Sequence, residues 1–118
     1  MRALVIKCTA GATEPERANQ AFTVAASAVA SGASVSLWLT GDAAFFAVPG
    51  RTTLDLPLAT PLEELLEVVL SSGTVTVCSQ CAARRSLTEQ DLVPGATIAG
   101  AALFAEEVLA DGVQALVY

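Results

Sequence analysis

Two cysteines separated by two residues, Cys78 and Cys81, form the motif of this sequence that most clearly indicates chemical reactivity. Residues 74–77 before them are β-branched and predict a short buried strand, and residues 79–85 predict a helix. Cys78 is therefore expected where a strand ends and a helix begins, a position at which unpaired backbone N–H groups favour negative charge. A thiol there loses its proton more easily and becomes a nucleophile, and a persulfide gains the same stabilisation.

The same Cys-x-x-Cys pattern has other interpretations. Half of a zinc site would need two further ligands, and Cys8 could supply only one because the chain has no histidine, so no metal site is expected. Cys78 and Cys81 could exchange thiol and disulfide states, or Cys81 could pack against the sheet. Cys8, at the end of the first predicted strand, is interpreted as a core cysteine. A third possibility is a non-enzymatic ligand- or protein-binding module in which the cysteines are only structural.

Several other polar residues receive structural interpretations. Asp42 follows a predicted strand and is expected to cap the next helix. Arg84 and Arg85 are expected to contact a loop, an acidic side chain or a partner rather than the sulfur. The acidic pair Glu106 and Glu107 is interpreted as a solvated helix face. Three aromatic residues are assigned to the core or to a subunit interface: Trp38, Phe45 and Phe46.

Composition narrows the class of protein further. The chain has 118 residues, of which 53% are hydrophobic and 15% charged, so one folded domain over residues 1–118 is expected. The formal net charge of -6 lacks the basic stripe of a nucleic-acid-binding protein. No apolar run is long enough to span a membrane and no secretory signal is recognised, so the expected location is the cytoplasm. The first strand–helix turn lacks the glycine and lysine motifs of nucleotide sites, so no cofactor is expected.

The pattern along the chain alternates between strands and helices. A capping box at Thr13 and Glu16 and a cap at Thr60 before Pro61 predict the starts of two helices. This alternation is typical of a mostly parallel sheet covered on both faces by helices. The predicted strands span residues 3–7, 33–39, 74–77, 96–99 and 113–117. The predicted helices run to about residue 31 and over residues 41–48, 60–72, 79–85 and 101–110, with an irregular segment at 49–60 and a turn at 88–92.

Three segments together resemble the DsrE/TusD-like (DsrE/DsrF-like) sulfur-relay family. They are residues 1–32, the run Val-Cys-Ser-Gln-Cys-Ala-Ala-Arg-Arg at 77–85, and the closing part, with 95–100, its helix and 115–118. The resemblance covers nearly the whole chain. It implies a three-layer α/β/α sandwich with a five-stranded sheet, assembled into homotrimers or homohexamers.

The resemblance also carries a function. It implies that Cys78 occupies the position of the sulfur-accepting cysteine, which takes sulfane sulfur as a persulfide and passes it to a partner thiol. If the protein is an enzyme, it is then sulfurtransferase-like, and its partners are sulfur donor and acceptor proteins or small sulfane-sulfur compounds. Two residues depart from the family pattern: Ser86 stands where glycine often follows arginine, and Cys81 is absent from the members that thiolate tRNA.

Overall fold

Five strands and four α-helices alternate along the chain in the computed structural model, which describes residues 2–118. The strands are β1 (Ala3–Cys8), β2 (Ser34–Leu39), β3 (Thr74–Cys78), β4 (Ala96–Ala99) and β5 (Val113–Val117). The helices are α1 (Pro15–Ala30), α2 (Leu62–Ser72), α3 (Ser79–Arg84) and α4 (Ala101–Leu109). Two 3₁₀ segments, Gly41–Ala47 and Glu89–Asp91, complete the regular structure. All five predicted strands are thus confirmed to within one residue.

The five strands form one sheet in the order β4-β3-β2-β1-β5. Every neighbouring pair is parallel, so the carboxyl ends of all strands lie at the same edge. Such an edge is where parallel α/β proteins bind ligands, because the loops that follow the strands meet there.

Helices cover both faces of the sheet, as the sequence predicts. Helices α1 and α2 pack together over the face that carries Ile6, Leu37 and Val77, and this side holds the main hydrophobic core. On the opposite face, the Phe104 ring of α4 meets buried Trp38 edge to face at 5.4 Å between ring centroids. The architecture is therefore the predicted three-layer α/β/α sandwich.

The structure corrects two predicted helix starts. Helix α1 begins at Pro15, so the expected capping box at Thr13 does not form. Proline suits this first position because its fixed φ is helical and its missing N–H would be unpaired there anyway. Helix α2 has Pro61 at its cap position and no side-chain cap bond, so Thr60 is not the cap either.

Residues 49–60 contain no helix or strand, as predicted. A capping box that was not predicted lies elsewhere, at the 3₁₀ turn Glu89–Asp91, where Thr88 and Asp91 exchange hydrogen bonds. Within residues 2–118, no helix has both the length and the apolar character needed to cross a membrane.

Candidate functional site

Cys78 lies at the carboxyl edge of the sheet, at the junction that the sequence predicts. It is the last residue of β3, pairs in register with Ala99 of β4, and occupies the cap position of α3. Its side chain is partly buried and carries a free thiol. A nucleophile placed here is open to the loops that meet at this edge.

The groups around the Cys78 sulfur lower its pKa. Burial of the thiol by itself raises its pKa, but the surrounding groups outweigh that effect and hold the pKa below its usual 9.0. The lowering comes, from the largest contribution to the smallest, from the backbone of Cys81, the side chain of Cys81, the backbone of Gln80 and the positive charge of Lys7. The thiolate is the reactive form of cysteine, so this environment favours a nucleophile.

Cys81 lies beside Cys78 but in a different environment. It is buried, with 8% of its surface exposed, and its sulfur accepts a hydrogen bond from the backbone N–H of Gly41 at 3.1 Å. The contact joins α3 to the 3₁₀ segment that follows β2. The structure thus brings the two predicted site residues together, with Cys78 the more accessible of the pair.

Cys8 does not join this site. Its register partner Leu39 is itself paired with Val77, so Cys8 lies on the core face while Cys78, one residue after Val77, faces the other way. Cys8 is fully buried, and its thiol donates to the carbonyl of Ala10 at 3.5 Å. Burial raises its pKa from 9.0 to about 11, so this thiol is an inert core group, as predicted.

Arg85 links the end of α3, the helix that contains Cys81, to the 3₁₀ segment after β2. The Arg85 guanidinium donates to one carboxylate oxygen of Asp42 at 2.8 and 3.1 Å and to the carbonyl of Cys81 at 3.1 Å. Arg85 thus contacts an acidic side chain, as expected. The prediction that Asp42 caps a helix is wrong, because Thr40 holds the cap position and Asp42 lies in the first turn beyond it.

Glu107 is also placed differently from its prediction as part of a solvated face. Its Oε1 accepts hydrogen bonds from Ser36 Oγ at 2.6 Å and from Trp38 Nε1 at 3.0 Å. Glu106 is exposed, in agreement with the prediction. Trp38 is a core residue, as expected, and the Glu107 carboxylate satisfies its buried N–H. The acidic pair alone gave no sign of this, since its partners lie about 70 residues earlier.

Lys7 is a residue of this region that the sequence analysis did not single out. It belongs to β1, is partly buried, and its Nζ lies 5.0 Å from the centroid of the Phe104 ring. The available signal was its position, because a lysine inside a short strand that is otherwise apolar needs a structural or chemical reason.

A cavity of about 380 Å³ opens beside the site, at the same edge of the sheet. Its walls include Thr13, Asp42, Phe45 and Arg51, and the Arg51 guanidinium lies 4.0 Å from the centroid of the Phe45 ring. Cys78 is not among its lining residues, so the sulfur and this cavity are neighbours rather than one site. No group of three or more His, Cys, Asp or Glu side chains that could hold a metal ion occurs within residues 2–118.

Known structures share this fold at low sequence identity. The crystal structure of the YchN protein from E. coli matches with a TM-score of 0.84 and 19% identity over 100% of both chains. MTH1491 from Methanobacterium thermoautotrophicum, a protein of unknown function, matches with a TM-score of 0.69 and 8% identity, again over 100% of both chains. BT1422 from Bacteroides thetaiotaomicron, a conserved protein of unknown function, gives 0.66 and 16% over 98% of this chain and 94% of its own.

The family comparison is more specific than these shared folds. No curated protein matches the chain significantly. The DsrE/DsrF-like family, however, matches residues 2–117, which is nearly the full length and includes β1, the Cys78 junction and β5. This chain therefore belongs to the DsrE/DsrF-like family.

Proposed function

We propose that the protein is a sulfur carrier that accepts sulfane sulfur as a persulfide on Cys78 and passes it to a partner thiol. The observation that carries the proposal is the environment of the Cys78 sulfur, which is partly exposed at the carboxyl edge of a parallel sheet and has a lowered pKa. Membership of the DsrE/DsrF-like family, whose general role is sulfur relay, supports the same chemistry.

The transfer needs no external oxidant or cofactor. The Cys78 thiolate attacks the outer sulfur of a donor of the form R–S–S⁻, the donor S–S bond breaks, and R–S⁻ leaves with the electron pair and takes up a proton. The new persulfide keeps a terminal anionic sulfur, which the backbone around Cys81 stabilises as it stabilises the thiolate. A partner thiolate then attacks that terminal sulfur, and the Cys78 thiolate is regenerated.

Cys78 is the best candidate among the three cysteines of the chain. Cys8 is fully buried and its pKa is raised to about 11, so it has neither the access nor the ionisation that a carrier needs. Cys81 is buried, and its sulfur already accepts the N–H of Gly41. We assign Cys81 a supporting part, as the residue whose backbone and side chain hold the Cys78 sulfur anionic.

Assembly and partners belong to the same proposal. We propose one functional domain over residues 1–118 that acts in the cytoplasm as a homotrimer or homohexamer, with donor and acceptor thiols on other proteins or on small sulfane compounds. Exposed apolar side chains on α4 and β5 support assembly: Leu109 is 81% exposed and Val117 is 66% exposed. The irregular segment 49–60 lies near the carboxyl edge and can cover the site in the assembled protein.

Mass spectrometry of the intact protein after treatment with a sulfane donor tests the proposal. We expect wild-type protein to gain the mass of one or more sulfur atoms and to lose it on addition of a reducing thiol. Cys78→Ser should gain none, whereas Cys8→Ser should behave like the wild type because Cys8 is sealed in the core. A gain of sulfur that persists in Cys78→Ser would refute the assignment.

One observation favours a second candidate function, thiol–disulfide exchange. The Cys81 side chain is among the groups that lower the pKa of Cys78, so the two thiols are close enough to influence each other. Controlled oxidation followed by peptide mapping separates the two functions. A Cys78–Cys81 disulfide with a potential in the thioredoxin range would favour exchange, and failure to form that bond would eliminate it.

A further inference from the structure

We propose that Lys7 is the charge-selecting residue of the Cys78 site and gives it a preference for sulfur donors that carry negative charge, the thiosulfate class. The inference rests on the proposed function, because it names the kind of donor from which Cys78 takes sulfur. The α4 face of the sheet carries an unusual residue, a partly buried lysine on a strand near the Cys78 sulfur.

Strand register puts Lys7 and Cys78 on the same face. Lys7 pairs with Trp38, and Trp38 pairs with Thr76, which precedes Cys78 by two residues. Side chains alternate along a strand, so all four residues project toward the α4 side. Two strand spacings and two residues of rise place the Lys7 and Cys78 Cα atoms about 12 Å apart, a gap that the long lysine side chain narrows. The positive charge of Lys7 is accordingly among the influences that lower the Cys78 pKa.

The Lys7 ammonium has no carboxylate partner within the described part of the chain, residues 2–118. The ion pairs found there join Arg17 to Glu14 and Arg85 to Asp42. Glu107, the carboxylate that α4 presents to this face, keeps its charge but accepts its hydrogen bonds from Ser36 and Trp38 rather than from Lys7. Lys7 rests instead against the Phe104 ring, an arrangement that orients the ammonium without neutralising it.

The charge of the rest of the chain makes this local cation important. A formal net charge of -6 repels an approaching anion, so an anionic donor needs a positive group at the reactive sulfur. Arg85 is less suited to this part, because Asp42 already balances its charge. Within residues 2–118, Lys7 forms no direct ion pair, and it lies on the face toward which Cys78 points.

The corresponding reaction is balanced. The Cys78 thiolate attacks the outer sulfur of thiosulfate, the S–S bond breaks, and sulfite leaves with the electron pair. The total charge of -3 is conserved, since a thiolate and a dianion become a persulfide anion and a sulfite dianion. Lys7 acts by reducing the repulsion between the two reacting anions, which brings the dianion close enough to react.

Two alkylating reagents of different charge measure the electrostatic potential at Cys78 independently of sulfur transfer. Iodoacetate is anionic and iodoacetamide is neutral, and both react with the same thiolate, so the ratio of their rates at Cys78 reports local charge rather than thiol ionisation. A unit charge about 8 Å from the carboxylate, in surroundings between protein surface and water, changes that ratio by about two- to sixfold. For a dianion such as thiosulfate the factor is roughly squared.

The variants are Lys7→Met, Lys7→Arg and, as a matched control, Arg84→Met, which removes an exposed arginine from α3. Methionine keeps the apolar stem of Lys7 against Phe104, so folding is expected to survive. We expect Lys7→Met to lower the ratio of the iodoacetate rate to the iodoacetamide rate about two- to sixfold. The rate of sulfur loading from thiosulfate should fall by a larger factor. Lys7→Arg and Arg84→Met should stay close to the wild type.

A ratio unchanged by Lys7→Met, or lowered as much by Arg84→Met, would overturn the inference. If Lys7→Met fails to fold, Lys7→Gln takes its place, because it also removes the positive charge and keeps part of the apolar stem, and it must lower the ratio by a similar factor. The two proposals can fail separately. A Lys7-dependent ratio without sulfur loading from any donor refutes persulfide carriage, whereas loading from thiosulfate that ignores Lys7 refutes only the part assigned to this lysine.

Discussion

Replacement of Glu107 by alanine should measure how firmly α4 is held on the sheet. The side chain accepts two hydrogen bonds, from Ser36 Oγ at 2.6 Å and from Trp38 Nε1 at 3.0 Å. Trp38 is only 1% exposed, so its buried N–H depends on the Glu107 carboxylate for its hydrogen bond. A hydrogen bond to a charged group contributes about 1.5–3 kcal/mol, and an orphaned buried donor costs about 1–3 kcal/mol.

These contributions overlap, and Glu107 is itself partly exposed, so we expect Glu107→Ala to lower the free energy of unfolding by about 2–4 kcal/mol. For a chain of this length, that corresponds to a fall in Tm of roughly 10 °C. Glu107→Gln keeps one oxygen acceptor and should cost about 1 kcal/mol. Glu106→Ala, at an exposed neighbour on the same helix, should stay within about 0.5 kcal/mol of the wild type.

Urea unfolding followed by the fluorescence of Trp38, the single tryptophan, provides the assay. Protein concentration must be the same for every variant, because subunit association would add to apparent stability. A stability loss for Glu107→Ala no larger than that for Glu106→Ala would contradict the role assigned to this carboxylate. An equal loss for Glu107→Gln and Glu107→Ala would also contradict it, since the oxygen acceptor would then be irrelevant.

Three other side chains and contacts have measurable effects on stability. The folded state raises the pKa of Cys8 from 9.0 to about 11, so the free energy of unfolding should fall by about 3 kcal/mol as the pH rises from 9 to 11. Cys8→Ala should remove this fall from the measured pH dependence of unfolding. Arg85→Ala, which breaks the Asp42 pair and the bond to a backbone carbonyl, should lower stability by about 1–2 kcal/mol in urea titrations. Gly73→Ala would place a methyl group 2.7 Å from the Val35 carbonyl oxygen. Thermal unfolding should therefore show that stability falls by about 1–3 kcal/mol. Unchanged stability would contradict so close an approach of the two backbones.

Local sequence signals were sufficient for most of the fold. Strands β4 and β5 follow Gly95 and Gly112, which adopt positive φ, and both strands fall within their predicted bounds. Cys78 was located because its position depends on neighbouring residues alone, namely an apolar β-branched run followed by small residues of helical character. The parallel sheet followed from the alternation of elements, and no long-range information was needed for it.

The errors occurred where a residue's partner is distant in sequence or where two local signals compete. Thr13 and Pro15 both mark a helix start, and the proline prevailed because its backbone is already fixed in helical geometry. Asp42 looked like a cap because its partner Arg85 lies 43 residues later. Glu107 looked solvated because only the folded sheet brings Trp38 beneath it.

The contacts of Cys81 show the same limit within the site. The spacing of Cys78 and Cys81 predicts that the two thiols lie near each other, and the structure places them so. Cys81 accepts the N–H of Gly41, which directly follows β2, and Lys7 belongs to β1. A sequence pattern points to the candidate residue, whereas the groups around its sulfur are brought together only when the strand ends meet at one edge.

The pH dependence of Cys78 alkylation in the folded protein tests the central claim most directly. Reaction with neutral iodoacetamide, resolved by peptide mass spectrometry so that each cysteine is followed separately, gives the pKa of this thiol without reference to any donor. The expected midpoint at Cys78 lies below that of the same cysteine in an unfolded peptide, because the surrounding groups lower its pKa, with Cys8 unreactive across the same range. A midpoint at or above that of the peptide, with a rate no faster than that of free cysteine, would contradict it.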